Sequence, residues 1–162
     1  MTIVNEEVVR DLNLAREVLS TSDCSIIVIS NGKIWKKKKG DGIRPFLDVI
    51  DEMGEDIQGS IIGDRILGRA SALLCRYIKA QGVYSPQGTK TGIALLIMGG
   101  IPCQVDKLIP IIKNRAGDGL CPFEKLLKDV ISPEEAYEIL KNSILDHLRG
   151  FFANHWKLKT LI

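Results

Sequence analysis

Cys24-Ser25-Ile26-Ile27-Val28-Ile29 is a continuous apolar, β-branched run, and Asn31-Gly32 follows directly after Ser30. A strand of this composition belongs in a sheet whose two faces are both covered. Asn-Gly favours the tight type I′ hairpin turn. The chain should therefore double back at once into a second strand, Lys33-Ile34-Trp35-Lys36. Helices to cover such a sheet are available on either side in sequence. Residues 5–20 carry Val8, Leu12, Ala15 and Leu19 at helical spacing, with Glu6, Arg10, Arg16 and Glu17 left for water. Pro45 suits a first helical turn, Phe46, Leu47, Ile50 and Met53 give that helix an apolar face, and Gly54 ends it.

Further along, Ser60-Ile61-Ile62-Gly63 reads as a short buried strand. Asp64 is expected to open a helix with Leu67, Ala70, Ser71, Leu74, Tyr77 and Ile78 on one face, closing at Gly82. Val83-Tyr84-Ser85 follows as a strand, Thr91 to Met98 as a short helix stopped by Gly99-Gly100, and Cys103 to Ile109 as the last strand. After the polar loop Asn114 to Gly119, Cys121-Pro122-Phe123-Glu124 opens another helix. Ser132-Pro133-Glu134-Glu135 is a capping box, starting a long helix that turns Ala136, Ile139, Leu140, Ile144 and Leu148 inward. Strands and helices alternating after one early hairpin predict an α/β chain, a mixed sheet sandwiched by helices.

A length of 162 residues suggests one domain, residues 1–150, followed by an apolar tail, 151–162. Phe152, Trp156 and Leu161 in that tail would be costly to leave wet. They dock on the parent domain or, the favoured expectation, form a homodimer contact, with His155 an interface or surface residue. Twenty-two basic against 20 acidic residues leave a net charge of +2, which excludes a generally basic protein that coats nucleic acid. The run Lys36 to Lys39 reads as a solvated edge that discourages aggregation; four lysines alone do not support phosphate or nucleic-acid binding. No apolar stretch approaches the roughly 18 residues of a membrane span. The acidic start, Met1 to Glu7, is not a secretory signal. Cys24, Cys75, Cys103 and Cys121 contain no C-x-x-C pair and read as reduced thiols. The expectation is a cytoplasmic protein without a membrane partner.

Two segments can carry chemistry. In Gly63-Asp64-Arg65-Ile66-Leu67-Gly68-Arg69-Ala70-Ser71 a buried strand turns into a helix, whose first N–H groups and partial positive charge favour an anion. Arg65 and Arg69 add charge one helical turn apart. The glycine spacing imitates a phosphate-cradling loop, but Arg69-Ala70 replaces its Lys-Ser/Thr pair, and an NTPase loop is rejected. Asp64 as helix cap and Gly68 as a packing glycine is the structural alternative. The second segment runs from Asn114-Arg115 to Cys121 and Glu124. Cys121 falls at an N-cap, where the helix dipole favours its thiolate and Arg115 can help. Glu124 is placed to move protons or to bond back to the cap backbone. The alternative is a capping loop in which the thiol packs as a small apolar group.

Residues Gly59 to Ala72, Asn114-Arg115 and Cys121-Pro122-Phe123-Glu124, in this order of elements, resemble domain-of-unknown-function family 1893, grouped by fold with the cytidine deaminases. The resemblance spans roughly residues 10 to 130. It implies a cytidine-deaminase-like three-layer α/β/α sandwich around a mixed sheet, and it implies no particular reaction. Zinc deaminases of that fold need His or Cys plus Glu on one helix and P-C-x-x-C on the next. Here the corresponding segments are Ile43-Arg44-Pro45-Phe46-Leu47 and Asp64-Arg65-Ile66-Leu67-Gly68, so no metal ligand set and no cofactor are expected. The leading reading is a binder of a small anionic, nucleotide-like ligand held by Asp64, Arg65, Gly68 and Arg69, with Asn114 and Arg115 closing over it. The alternatives are a zinc-independent enzyme with Cys121 as nucleophile or redox thiol and Glu124 as proton carrier, or a structural assembly module.

Overall fold

β1 (Ile26–Ser30) and β2 (Lys33–Lys38) pair antiparallel across Asn31-Gly32, where both turn residues have positive φ, 52° and 75°. That is the backbone a type I′ turn requires. The computed structural model describes the backbone of residues 5–160 and the side chains of residues 5–148. The strand order is β2-β1-β3-β4-β5. β3 (Ile61–Asp64) is antiparallel to β1, while β4 (Gly82–Gly88) and β5 (Cys103–Leu108) run parallel to β3. The sheet is therefore mixed. α3 (Arg69–Tyr77) and α4 (Lys90–Met98) form the two parallel crossovers.

β1 is buried on both sides, as its composition demands. Ile27 and Ile29 meet Val8, Leu12, Ala15 and Leu19 of α1 (Glu6–Thr21). Ile26 and Val28 join the larger core beneath α2 (Arg44–Met53), α3 and α4. α1 sits close to the sheet because Gly63 has no side chain; a Cβ there would overlap Ile27 and lie 3.1 Å from the Ala15 methyl. The fold is α/β, with helices on both faces of a five-stranded mixed sheet.

α5 (Pro122–Leu126) is short, and α6 (Pro133–Thr160) packs its first half across α3. Ala136 and Leu140 are buried, and Tyr137 stacks on Tyr77 with centroids 4.3 Å apart. Ser132 accepts the Glu135 N–H at 3.3 Å, the expected cap. The α6 backbone continues as helix to Thr160, so the segment after Gly150 is helical through that residue. The contacts expected of Phe152, His155, Trp156 and Leu161 lie outside the described side chains.

Three boundaries differ from the sequence expectation. α3 starts at Arg69 and not at Asp64, which closes β3. Gly82 opens β4 instead of ending α3. The lysine run extends β2 through Lys38. Lys36 and Lys38 reach Glu52 of α2, and Lys39 reaches Asp23, so much of the run is tied into local ion pairs. Among the described residues no helix is long and apolar enough to cross a membrane.

Candidate functional site at the start of helix α3

Gly68 is the N-cap of α3 and has no side chain to satisfy the helix's first N–H groups. A residue distant in sequence does so. Glu124, in the first turn of α5, accepts the Arg69 N–H on Oε1 at 2.7 Å and the Ala70 N–H on Oε2 at 2.9 Å. The helix start thus holds a carboxylate, as its orphan donors and dipole favour, and the carboxylate belongs to the chain itself. Gly68 is required for this approach: a Cβ would overlap both Glu124 Oε1 and Ile112 Cδ1.

Both arginines of the motif have main-chain partners. Arg65 donates from Nε to the Cys24 carbonyl at 2.8 Å and from Nη2 to the carbonyls of Leu19 and Ser22, each at 3.0 Å. The last turn of α1 contains no basic residue, and Arg65 supplies that missing cap from just past the end of β3. Arg69 turns elsewhere and donates from Nη1 to the Val130 carbonyl at 2.8 Å, fastening the α5–α6 connection. The pair expected to converge on a ligand therefore diverges. Each guanidinium holds a segment in place.

Asp64 stays beside the helix start. Its carboxylate accepts the Ser71 hydroxyl. Burial pushes its pKa up to about 7, against hydrogen bonds from Ser71 and the Ile66 and Arg65 N–H groups, which lower it, as does the Arg65 charge. Cys75, one turn beyond Ser71, is fully buried, and burial with the nearby Asp64 charge holds its thiol well above the ordinary range. Ser71 as the partner of Asp64 is not readable from the motif. It falls among apolar helix positions, and the link depends on Asp64 ending a strand.

The Asn114–Glu124 loop reaches the α3 start through Glu124, with Ile112 beside Gly68. Lys113 bridges to Leu120, and Cys121 N–H donates to the Ile112 carbonyl at 2.8 Å. Asn114 is on the loop's outer side, donating to Asp118 at 2.9 Å and accepting its N–H at 3.2 Å. Arg115 pairs with Asp41 of the β2–α2 connection, both side chains largely exposed at 84% and 77%. Phe123 packs over Gly42. Cys121 is the N-cap of α5, half-buried, with no side-chain capping bond. Of the expected site residues, Asp64, Gly68, the Arg69 backbone and Glu124 gather at the α3 start. The guanidiniums of Arg65 and Arg69, and the side chains of Asn114 and Arg115, engage other groups. Among the described residues no three His, Cys, Asp or Glu side chains gather to hold a metal.

A solved protein shares this architecture. A solved DUF1893 family protein (TM1506) from Thermotoga maritima superposes with a TM-score of 0.74 at 24% identity, over 87% of this chain and 92% of that one. Acinetobacter baumannii RibD gives 0.48 at 11% identity, over 62% of this chain and 36% of that one. A dCMP deaminase from the cyanophage S-TIM5 gives 0.43 at 15%, over 66% of this chain and all 100% of that one. No curated protein matches. Residues 14–144 match the family described as TM1506, a domain of unknown function (DUF1893), and the chain belongs to that family.

Proposed function

We propose that the chain binds a small anionic, nucleotide-like ligand at the α3 start, as a regulatory or otherwise non-catalytic binder. What carries the reading is Glu124, whose carboxylate already sits on the Arg69 and Ala70 N–H groups. Groups arranged to hold one carboxylate can hold a phosphate oxygen in its place. Gly68 leaves room for a close approach to backbone, and the Arg65 and Arg69 charges raise the local positive potential without contacting the ligand directly. Asn114 and Arg115 lie on the loop that would have to lift for entry. Its exposed Arg115–Asp41 pair is a weak fastening. Asp64 would present a hydrogen-bond donor to the ligand when protonated, near neutral pH.

Binding of adenosine monophosphate, followed by calorimetry, tests the reading. Glu124→Ala vacates the helix start and should tighten binding about tenfold, the worth of displacing one charge-assisted pair of hydrogen bonds. If a folded Glu124→Ala protein binds no more tightly than wild type, the reading fails. The reading with Cys121 as nucleophile has less support, because both Glu124 oxygens are committed to backbone donors and are not free to move a proton.

A further inference from the structure

At the opposite end of α3 a cavity of about 320 Å³ opens where the last turns of α3 and α4 meet the first residue of α6. Its charged lining is wholly cationic, Arg76 and Lys79, with Gly99, Gly100 and Pro133 among the other walls. Arg76 lies with its stem against Gly99, where a Cβ would come within 2.9 Å of Cγ and Nε. Its Nη1 is buried and has no hydrogen-bond partner.

Cations at helix C-termini ordinarily bond the last carbonyls. Here the chain's own N–H groups have taken most of them. Ile78, Lys79 and Ala80 N–H groups go to the carbonyls of Leu74, Arg76 and Cys75. Gly99, Gly100 and Ile101 N–H groups close α4 in the same way, on Leu95, Ile97 and Leu96. Beside these two backbone caps Arg76 Nη1 is left without an acceptor among the described residues. A buried donor in that condition is costly, and an arriving oxygen relieves it.

Lys79 adds a second observation. It occupies the left-handed region at φ 52° in the α3 cap, the position where glycine is usual. Among the described residues its ammonium has no ion-pair partner. The N-terminus of α6, at Pro133, offsets the negative ends of α3 and α4.

We infer that this cavity is a binding site for a phosphoryl group, free or as a monoester, held by the Arg76 guanidinium and the Lys79 ammonium. A turn of the guanidinium about its last bond brings Nη1 onto a ligand oxygen, and a bidentate contact to a tetrahedral oxyanion suits its planar fork. The site is distinct from the α3 start and stands or falls separately from it.

The test is a calorimetric titration of the full-length chain with inorganic phosphate and, separately, with phenyl phosphate, at low ionic strength. Arg76→Met keeps the stem on Gly99 and removes the fork. Lys79→Gly removes the charge and suits the backbone, so it should fold at least as well as wild type. Saturable binding that weakens about tenfold in each variant supports the site. Tighter binding of phenyl phosphate assigns it to a phosphorylated metabolite, and equal binding to free phosphate. No saturable binding by the wild type, or binding that Lys79→Gly leaves unchanged, overturns it.

Discussion

The two ends of α3 carry similar charges and opposite bookkeeping of hydrogen bonds. At the N-terminal end Arg65, Arg69 and the helix N–H groups have partners: three carbonyls, one carbonyl and the Glu124 carboxylate respectively. At the C-terminal end backbone N–H groups take the Leu74, Cys75 and Arg76 carbonyls, and a guanidinium nitrogen is left over. A cationic motif in sequence shows where charge lies along the chain. Whether that charge is free depends on which carbonyls and carboxylates the fold delivers to it. Breaking each end in turn separates charge that builds the fold from charge that remains for a ligand.

The largest effect is expected where partners are most interlocked. Gly68→Ala puts a methyl group into the space of Glu124 and Ile112. It should cost about 3 kcal/mol in urea denaturation, from overpacking and from loss of the carboxylate cap together. A loss below about 1 kcal/mol would mean that the loop yields freely, and the contrast between the two ends would weaken.

Asp64 gives the next effect, and its sign follows from burial. Its folded-state pKa of about 7 lies above the ordinary 3.8, so the unfolded chain loses this proton first as pH rises. Stability from this group is complete at acid pH and falls as pH climbs towards and through about 7. From pH 5 to pH 8 the wild type should lose on the order of 2–3 kcal/mol relative to Asp64→Asn. Urea midpoints of the two proteins across that range would show it; parallel pH profiles would contradict it. The lowered pKa values of Glu52, Asp23 and Asp106 arise first from side-chain hydrogen bonds with Lys38, Lys39 and Arg16, and act in the opposite direction.

Arg65→Met should cost about 2 kcal/mol, since two carbonyls at the end of α1 and one in the α1–β1 connection lose a charged donor. Amide exchange should quicken over the last turn of α1 and leave α3 unaffected. If α1 stays protected while only anion binding is lost, Arg65 belongs to the ligand and not to the fold.

These differences also mark what could be read from the chain. β1 and its hairpin are evident because covering both faces of a β-branched run and the positive φ of Asn-Gly are local requirements. The Ser132 N-cap is local too, and its bond to the Glu135 N–H stands where expected. The boundary at Asp64 was obscured by a non-local choice. Aspartate is a good cap in isolation, but here burial beside Ser71 holds it in β3, and the cap arrives from Glu124, 55 residues beyond Arg69. Gly82 likewise resembles a helix stop, yet α3 has already ended at a cap built on Lys79, a residue whose type gives no warning of positive φ. Of the site, the convergence of Gly68 and Glu124 was legible as two separate helix starts. That one would satisfy the other was not, because the pairing depends on where the 112–121 loop crosses the sheet.

The smallest effect tests how that loop is held. Arg115 and Asp41 are both exposed, and such pairs contribute little to stability. Arg115→Ala should change the unfolding free energy by less than about 0.5 kcal/mol. Its consequence should appear in local opening, because the pair joins the loop tip to the β2–α2 connection. Hydrogen exchange at the Asn114 and Cys121 amides, bonded to Gly119 and Ile112, should accelerate while α3 keeps its protection. If those amides exchange as slowly as before, the loop is held by Phe123, Ile112 and Glu124 rather than by its tip. Entry to the α3 start would then require withdrawal of Glu124 itself, making its release the controlling step for any anion that binds there.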